Sequence, residues 1–296
     1  MTLVVARRFK TEIRIVSDTH APDAFGKLHL SDLDRSCLKC ILLSPSCCVA
    51  FAGPVTLAKA AIAPILRLGG AERRHVVDHL LEQHRRSNQL TDYLVAFAGP
   101  RPDLCLNSKG SLKADQPAAW IGDEPAFAEF QASFGREAEP ACREDAWTGW
   151  VGRMNEAMKS VINDARHSGV GGLVVTVTSN PSQRDGFRYL SLEQAQGFHT
   201  APLSTTSTNV VRPLGAAGGG FTQKLLVPTT AGVGAVAMHI PEGPTGALFY
   251  PARGWEAFRY PQLGVEEFIS RVASDHGIVL GVPLQFGLEA SWTPHA

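Results

Sequence analysis

The chain has 296 residues, of which 44% are hydrophobic and 19% are charged, so it has enough apolar material for a sizeable core and is not expected to be globally disordered. Its 28 basic and 28 acidic residues give a formal net charge of zero at pH 7. This balance provides no electrostatic reason to expect a nucleic-acid partner or an anionic membrane surface.

The first part of the chain predicts paired strands followed by amphipathic helices. Strands are predicted where β-branched and apolar residues run between turn-forming residues. They cover residues 2–7, 13–17, 39–43 and 47–52. Helices are predicted where apolar residues recur at helical spacing. They cover residues 56–68 and 71–87, and strands return at residues 93–98, 103–106 and 118–121.

The second part predicts two more helices and then β-rich sequence. The helices cover residues 125–134 and 147–166, before a strong strand at 173–178 and its hairpin partner at 187–190. Residues 203–220 are dominated by Thr, Ser, Gly, Ala and Pro, a composition typical of a linker or loop. The remaining predicted elements are strands at 221–227, 233–240 and 247–250 and a helix at 265–275.

The order of the predicted elements indicates a layered fold. Strands, two helices, strands, two helices and strands follow one another up to about residue 195, and this order implies two layers of sheet between two layers of helix. We therefore predict an α+β protein with a four-layer αββα sandwich in residues 1–200. Residues 201–296 are predicted to form a linker and a β-rich C-terminal extension.

Thr2 is a candidate nucleophile because Met1 before a small residue is normally removed in the cytosol. Removal would leave Thr2 with both a hydroxyl and a free α-amine. An α-amine titrates at about 7.7–8.0 in model compounds, so part of it is neutral near pH 7 and can act as general base. Nucleophile and base would then belong to one residue, which is an established catalytic arrangement.

The sequence around Thr2 resembles proteasome β-subunits and their bacterial relatives, which are N-terminal-nucleophile (Ntn) hydrolases. The resemblance lies in Thr-Leu-Val-Val-Ala at residues 2–6, Ile-Val-Ser-Asp ending at Asp18, and the run from Lys39 through a Pro-containing turn to Ala-Phe-Ala-Gly53. It continues in residues 159–178 and covers residues 2–195, about two-thirds of the chain. The loop between Asp18 and Lys39 is a few residues longer than the family's.

The resemblance implies a role for each matched residue. Thr2 Oγ would attack a peptide or amide carbonyl, the charge of Lys39 would favour the deprotonated hydroxyl, and Asp18 would pair with Lys39 and hold it in place. The backbone N–H of Gly53 would donate to the oxyanion. Phe51 and Val55, which flank Gly53, would face the pocket for a substrate side chain and favour an apolar or small one.

The sequence departs from the family in two places that surround the α-amine. The family carries a Ser between two glycines where this chain has Gly122-Asp123, and an acidic residue and a second Ser where it has His167 and Val170, with Ser168 and Asp164 nearby. The altered network indicates either a different proton relay or a lost activity. A catalytically silent proteasome-fold structural or binding subunit is therefore the second hypothesis, and a small-molecule amidase is the third.

A metal site is the competing interpretation of Asp18. Asp18-Thr-His20 is similar to the opening of metallophosphoesterases, but no Asn-His or Gly-His sequence follows to supply further ligands, and a dinuclear centre needs several loops. His75 and His79 have metal-capable i, i+4 spacing on a helix rich in Arg, which is more typical of a solvated face. We predict neither a metal nor a cofactor.

Location and assembly follow from the remaining features. No apolar run approaches a membrane span, the N-terminus does not read as a signal peptide, and the six irregularly spaced cysteines are typical of buried thiols in a reducing compartment. We predict a cytoplasmic protein without a membrane or nucleic-acid partner. Relatives of the fold often form rings, so a homo-oligomer is also expected.

Overall fold

A computed structural model describes residues 2–20, 36–68, 72–136, 146–164, 166–167, 169–179, 186–197, 220–241 and 243–281. Within these residues the chain forms five helices and three antiparallel sheets. The mixed α and β structure predicted from the sequence is therefore confirmed. By internal contacts the chain divides into two compact units, of which the first contains residues up to Tyr189 together with Ala231–Gly234 and Pro251–Glu256. The predicted boundary at residue 200 lies outside the described residues.

The first unit contains two five-stranded sheets. The first sheet has the order β10-β9-β2-β1-β8 and the second has the order β3-β4-β5-β6-β7. The strands of the first sheet are β1 (Leu3–Phe9), β2 (Glu12–Ser17), β8 (Ala118–Gly122), β9 (Val175–Ser179) and β10 (Phe187–Tyr189). Those of the second are β3 (Cys40–Ser44), β4 (Cys47–Ala52), β5 (Asp92–Phe97), β6 (Asp103–Ser108) and β7 (Ser111–Lys113).

Four helices pack on these sheets in two pairs. They are α1 (Val55–Arg67), α2 (Arg73–Arg86), α3 (Glu124–Arg136) and α4 (Ala146–Ile162). The α3–α4 pair contacts β1 and β2, whereas α2 contacts β5 and β6 and also packs on α1. Strands β1 and β8 of the first sheet contact strands β4 and β6 of the second. Helices therefore contact both sheets, and the two sheets contact one another.

The burial of the strands explains why their sequences read as continuous apolar runs. All six residues of β4 and the first four of β1 are buried, so residues pointing to either face of these strands avoid water. Leu3, Val5 and Val16 pack against α3 and α4 in a cluster with Phe130 and Met158. Burial on both faces fixes the strand register, because a slip by one residue would exchange the two sets of side chains.

The second unit is a sheet of the order β11-β12-β13-β14-β15, in which β16 also pairs with β12. Its strands are β11 (Leu192–Gly197), β12 (Gly220–Pro228), β13 (Val236–Ile240), β14 (Thr245–Tyr250), β15 (Gly254–Pro261) and β16 (Leu280–Gly281). Helix α5 (Val265–His276) contacts β14 and β16 and buries Phe268, Ile269 and Val272. The β-rich character and the helix predicted for the C-terminal third are therefore confirmed.

Helix α4 ends earlier than the sequence predicted. It was expected to reach residue 166, but it ends at Ile162. The carboxylate of Asp164 accepts hydrogen bonds from the backbone N–H of Arg166 at 2.9 Å and from its guanidinium. Asp side chains that bond to the backbone two residues on compete with helical hydrogen bonds, which explains the early end. Residues 203–219 of the predicted linker lie outside the described residues.

None of the described helices has the length and apolarity to cross a bilayer.

Candidate active site

The hydroxyl of Thr2 lies in a buried cluster with a carboxylate and an ammonium group. Thr2 precedes β1, Asp18 follows β2, and Lys39 precedes β3. Thr2 Oγ1 donates to Asp18 Oδ1 and accepts from Lys39 Nζ. The structure therefore brings together the three residues whose side chains were expected to form the catalytic cluster.

The pairing of β1 and β2 sets the distance between Thr2 and Asp18. Val4 lies opposite Ser17 in the antiparallel register, so the residues just beyond the paired strands are neighbours at the same end of the hairpin. The Asp18 N–H donates to the Leu3 carbonyl at 3.3 Å, and the Leu3 N–H donates to Asp18 Oδ1 at 3.0 Å. The carboxylate is therefore held beside Thr2 by the backbone on both sides.

The Asp18 carboxylate is fully buried and accepts hydrogen bonds from several donors. Lys39 Nζ lies 3.0 Å from Oδ1 and 2.9 Å from Oδ2. Oδ2 also accepts from the backbone N–H groups of His20 at 3.1 Å and Gly171 at 3.2 Å. A carboxylate with an opposite charge and several N–H donors is stabilised in its ionised form. The site therefore holds a buried anion whose main charged partner is Lys39.

Lys39 is 2% exposed, and its ammonium group contacts only the Asp18 carboxylate and the Thr2 hydroxyl within the described residues. A buried ammonium is costly unless it is paired and hydrogen-bonded. The carboxylate supplies that pairing, and the cation is directed at the oxygen of Thr2. Such a cation stabilises negative charge that develops on the hydroxyl oxygen.

Strand β8 fixes the backbone of Thr2 from the other side. The Asp123 N–H donates to the Thr2 carbonyl at 2.8 Å. Gly122 lies opposite Leu3 with φ of +112°, and a Cβ at this position would lie 1.8 Å from the Thr2 carbonyl oxygen. Only glycine has no Cβ and adopts such a backbone at little cost. The candidate nucleophile is therefore held between the β1–β2 pair and the end of β8.

Gly53 lies between the end of β4 and the start of α1, with φ of +132°. A Cβ there would lie 2.4 Å from the Leu90 carbonyl oxygen and 2.8 Å from Thr91 Cα, so the backbone approaches its neighbour as only glycine allows. Within the described residues, the Gly53 N–H donates no hydrogen bond. This N–H is consequently a donor available to a ligand, although no hydrogen bond among the described residues joins Gly53 to Thr2, Asp18 or Lys39.

Of the two predicted pocket residues, only Phe51 has a hydrogen bond to a member of the cluster in the described part of the chain. The Phe51 N–H donates to the Lys39 carbonyl at 3.1 Å, and Phe51 is 0% exposed. Val55 is buried and begins α1. The backbone of Phe51 is therefore hydrogen-bonded to the backbone of Lys39, whereas Val55 follows Gly53 by two residues along the chain.

The residues at the family's serine and acidic positions have other partners here. Asp123 Oδ1 accepts the backbone N–H of Ala126 at 2.8 Å and so caps the start of α3. Hydrogen bonds from Arg166 lower the pKa of Asp164 to about 2, and His167 Nε2 lies 3.8 Å from Asp164 Oδ2. Val170 is buried in the cluster of α3, α4 and the first sheet, and Ser168 lies outside the described residues.

Two thiols flank Lys39 along the chain, but neither is a competing nucleophile. Burial raises the pKa of Cys37 and that of Cys40 to about 12, because each thiol is surrounded by protein and its thiolate would lose hydration. The described cysteines are all free and buried, as the sequence predicted, and Cys142 lies outside the described residues. At neutral pH both thiols therefore remain protonated, and neither competes with the Thr2 hydroxyl as a candidate nucleophile.

The competing interpretation of Asp18 as a metal ligand gains no support from its contacts. Both carboxylate oxygens accept hydrogen bonds from Lys39, and an ammonium at this place repels a cation. The residues that the structure describes contain no group of three or more His, Cys, Asp or Glu side chains arranged to bind a metal. The His75 and His79 rings stack on α2 with 6.3 Å between their centroids, and His79 Nε2 pairs with the Ala61 carbonyl.

Three features of the site were not predicted from the sequence. They are the contact of Gly171 with Asp18, the approach of Gly122 to the Thr2 carbonyl, and the position of Trp255, whose ring packs on Phe51. The consecutive glycines at residues 171–172 were a usable signal, because glycine marks places where backbone approaches another group closely. Nothing in the local sequence of Trp255 indicates its contact with Phe51.

The chain matches no model of a known protein family, and a search of curated proteins finds no relative.

Proposed function

We propose that the protein is an N-terminal threonine hydrolase that cleaves peptide or amide bonds through an acyl-enzyme ester at Thr2. One observation carries the proposal: the Thr2 hydroxyl lies between the Asp18 carboxylate and the Lys39 ammonium in a buried cluster. The packing of helix pairs on two sheets that contact one another supports the finer assignment of a four-layer αββα sandwich of the Ntn type.

The first half of the reaction forms the ester. After Met1 is removed, the neutral α-amine of Thr2 accepts the proton of its own hydroxyl while Oγ1 attacks the substrate carbonyl carbon. Lys39 stabilises the developing negative charge on Oγ1, and the Gly53 N–H donates to the carbonyl oxygen as it becomes an oxyanion. The α-ammonium then gives its proton to the leaving nitrogen, so that the C–N bond breaks and an ester to Thr2 remains.

The second half of the reaction hydrolyses the ester. The α-amine accepts a proton from a water molecule as the water oxygen attacks the ester carbonyl. The bond from the carbonyl carbon to Oγ1 breaks, the proton returns to Oγ1, and a carboxylic acid is released. The Asp18 carboxylate holds Lys39 beside the hydroxyl. No metal or redox partner enters this reaction scheme.

A labelling experiment tests the nucleophile directly. Wild-type protein and the Thr2→Ala variant are treated with a peptide epoxyketone, which reacts with a threonine hydroxyl and a free α-amine, and intact masses are measured. We expect Met1 to be absent from the wild-type protein and one adduct to map to Thr2, whereas Thr2→Ala carries none. A matched control extends the N-terminus by residues that are not removed, which blocks the amine and should abolish labelling. Equal labelling of the wild-type protein and Thr2→Ala would refute the proposal.

A catalytically silent proteasome-fold subunit with a structural or binding role is the second candidate. The observation that favours it is the use of the Asp123 carboxylate as the cap of α3, at the position where the family has a serine near the α-amine. Retention of Met1 in the native protein, with no labelling of Thr2, would support this candidate. A panel of peptide and small acyl-amide substrates separates a peptidase from a small-molecule amidase on the same site. Cytoplasmic location and homo-oligomeric assembly remain part of the proposal.

A further inference from the structure

A short segment from the last third of the chain belongs to the unit that contains the candidate site. Residues Pro251–Glu256 group by contacts with the first unit, and Trp255 within them is 7% exposed. The Trp255 and Phe51 ring centroids are 6.1 Å apart with an interplanar angle of 52°. This distance and tilt are typical of a packed aromatic pair. The segment therefore places a tryptophan directly against the predicted pocket residue.

Phe51 connects this tryptophan to the reacting group. Cys40 pairs with Ala50 across β3 and β4, and the Phe51 N–H donates to the Lys39 carbonyl, so Lys39 and Phe51 oppose each other. Residues directly opposite in an antiparallel pair point to the same face of the sheet. The Lys39 side chain reaches the Thr2 hydroxyl, so the Phe51 ring lies on the Lys39 side of the second sheet. Trp255 therefore packs on Phe51, which lies opposite Lys39 in the β3–β4 pair.

Phe51 has no exposed surface, and Trp255 is one of the residues that pack on its ring. Phe51 is 0% exposed, so a substrate side chain cannot reach its ring while Trp255 occupies its present position. A pocket that is already filled by protein atoms rejects large side chains and accepts small ones, because inserting extra atoms into close-packed protein forces costly shifts. The filled space predicts a preference for small side chains at the position that Phe51 was expected to contact.

A second segment of the last third is also built into the first unit. Residues Ala231–Gly234 group with it, and a Cβ at Gly234 would lie 2.8 Å from the Leu42 carbonyl oxygen. A Cβ at Gly232 would lie 2.5 Å from Pro45 Cγ. These close approaches pack Ala231–Gly234 on the β3–β4 hairpin, the same hairpin that carries Phe51. Two separate segments are therefore packed against this part of the first unit.

We propose that Trp255 determines the substrate specificity of the site by filling the space beside Phe51. The residue on the acyl side of the cleaved bond would consequently carry a small side chain, as in Gly, Ala or Ser. This inference rests on the proposed threonine hydrolase function and adds a substrate class to it. A large-to-small substitution of Trp255 would open the space and admit a bulky aromatic side chain.

The test compares fluorogenic peptides that differ only in Ala or Phe at the acyl position. For Trp255→Ala we expect the ratio of kcat/KM for the Phe peptide to kcat/KM for the Ala peptide to rise by about tenfold or more, since a few methylene groups in a pocket already discriminate by about 10–200-fold. Tyr260→Ala is the matched control, because it removes a buried aromatic ring of the same strand that packs on Phe268 instead. Its ratio should equal that of the wild-type protein.

Epoxyketone labelling of Thr2 in each variant separates the two proposals. A wild-type protein that neither labels nor cleaves overturns the proposed function, and with it this inference. A Trp255→Ala protein that labels at Thr2 but keeps the wild-type ratio overturns the inference alone. If Trp255→Ala does not fold, Trp255→Leu and Phe51→Ala each enlarge the same space with a different loss of packing. An unchanged ratio in both folded variants would equally reject the role of Trp255.

Discussion

At the scale of single residues, Asp18 organises the candidate site. It is the acceptor for the Thr2 hydroxyl, for the Lys39 ammonium and for backbone N–H groups of three separate residues. A carboxylate in this position carries out two tasks at once, because it neutralises a buried cation and fixes the geometry of the nucleophile. Removing its charge should therefore affect both the activity and the stability of the protein.

The Asp18→Asn variant tests the charge of the side chain while keeping its size and shape. The amide retains the size of the side chain but leaves the Lys39 ammonium buried without a counterion, which typically costs about 3–5 kcal/mol when one partner of a buried pair is lost. We expect urea unfolding to show a loss of that order. We also expect kcat/KM to fall by about 10²–10³-fold, as for loss of one preorganised electrostatic group.

Asp115→Asn is the matched control for this change. Asp115 also pairs with a cation, Arg8, but its side chain is 80% exposed, and exposed pairs contribute about 0–1 kcal/mol. We expect this variant to retain wild-type stability and activity. Equal behaviour of the two variants would show that the Asp18–Lys39 pair has no special role.

The three members of the candidate cluster could be predicted from the sequence. Thr2 follows Met1 and can gain a free α-amine, whereas Asp18 and Lys39 were identified only through the resemblance to proteasome β-subunits. The contact of Gly171 with Asp18 could not be predicted, because 153 residues separate the two and no periodicity links them. Trp255 is still farther from Phe51 along the chain, and its position depends on how a later segment packs. Contacts that form only through tertiary packing leave no signal in strand or helix spacing.

At the scale of elements, glycines at two strand ends allow close approaches of the backbone. Gly53 follows β4 and approaches Leu90, Gly122 ends β8 and approaches the Thr2 carbonyl, and both have positive φ. The lengths of the elements were predicted well where both strand faces are buried, as in β4, because the apolar run then matches the strand. The predicted end of α4 was wrong because the Asp164 side chain accepts a backbone hydrogen bond from Arg166 and so competes with helical hydrogen bonding.

The Gly122→Ala variant tests whether the end of β8 positions Thr2. The new methyl group would clash with the Thr2 carbonyl oxygen, and a non-glycine residue at positive φ carries a strain of about 1–3 kcal/mol. We expect thermal and urea unfolding to show destabilisation of that order. The shift of the Thr2 backbone should also lower the rate of epoxyketone labelling, which depends on the placement of its hydroxyl and amine.

Gly135→Ala provides the control for this substitution. Gly135 lies in α3, and a Cβ there would meet no other atom within 4 Å. Alanine is favoured over glycine inside a helix by about 1 kcal/mol, so this variant should be as stable as the wild-type protein or more stable. Normal labelling of Gly122→Ala would contradict the positioning role, even if its stability were reduced.

At the scale of the whole molecule, the fold buries thiols as well as apolar side chains. Burial raises the pKa of Cys37, Cys40 and Cys47 to about 12, and it raises the pKa of Cys48 well above its usual range. The unfolded chain ionises its thiols at about 8.5. The mixed α and β character was predictable from the order of elements, whereas the burial of the thiols depends on how the strands and helices pack in three dimensions.

The difference in thiol ionisation makes the stability of the whole fold fall in alkaline solution. A group whose folded pKa is raised stabilises the fold fully below its unfolded pKa and loses that contribution as the pH rises towards its folded pKa. For these thiols the loss begins at about pH 8.5 and extends to about pH 12, and each thiol contributes about 1.4 kcal/mol per pH unit within that window. We expect urea unfolding under reducing conditions to show several kcal/mol less stability at pH 10 than at pH 8.

A Cys47→Ala variant distinguishes this cause from general alkaline destabilisation. Cys47 lies in β4 on the hairpin with β3, away from Thr2, and its thiol is buried. The variant has one titrating thiol fewer, so its loss of stability between pH 8 and pH 10 should be smaller than that of the wild-type protein by about 2 kcal/mol. The comparison uses each protein's own stability at pH 8 as reference, which removes the effect of the missing sulfur on packing. Parallel pH profiles for the two proteins would mean that tyrosine and lysine side chains, not the buried thiols, destabilise the fold at high pH.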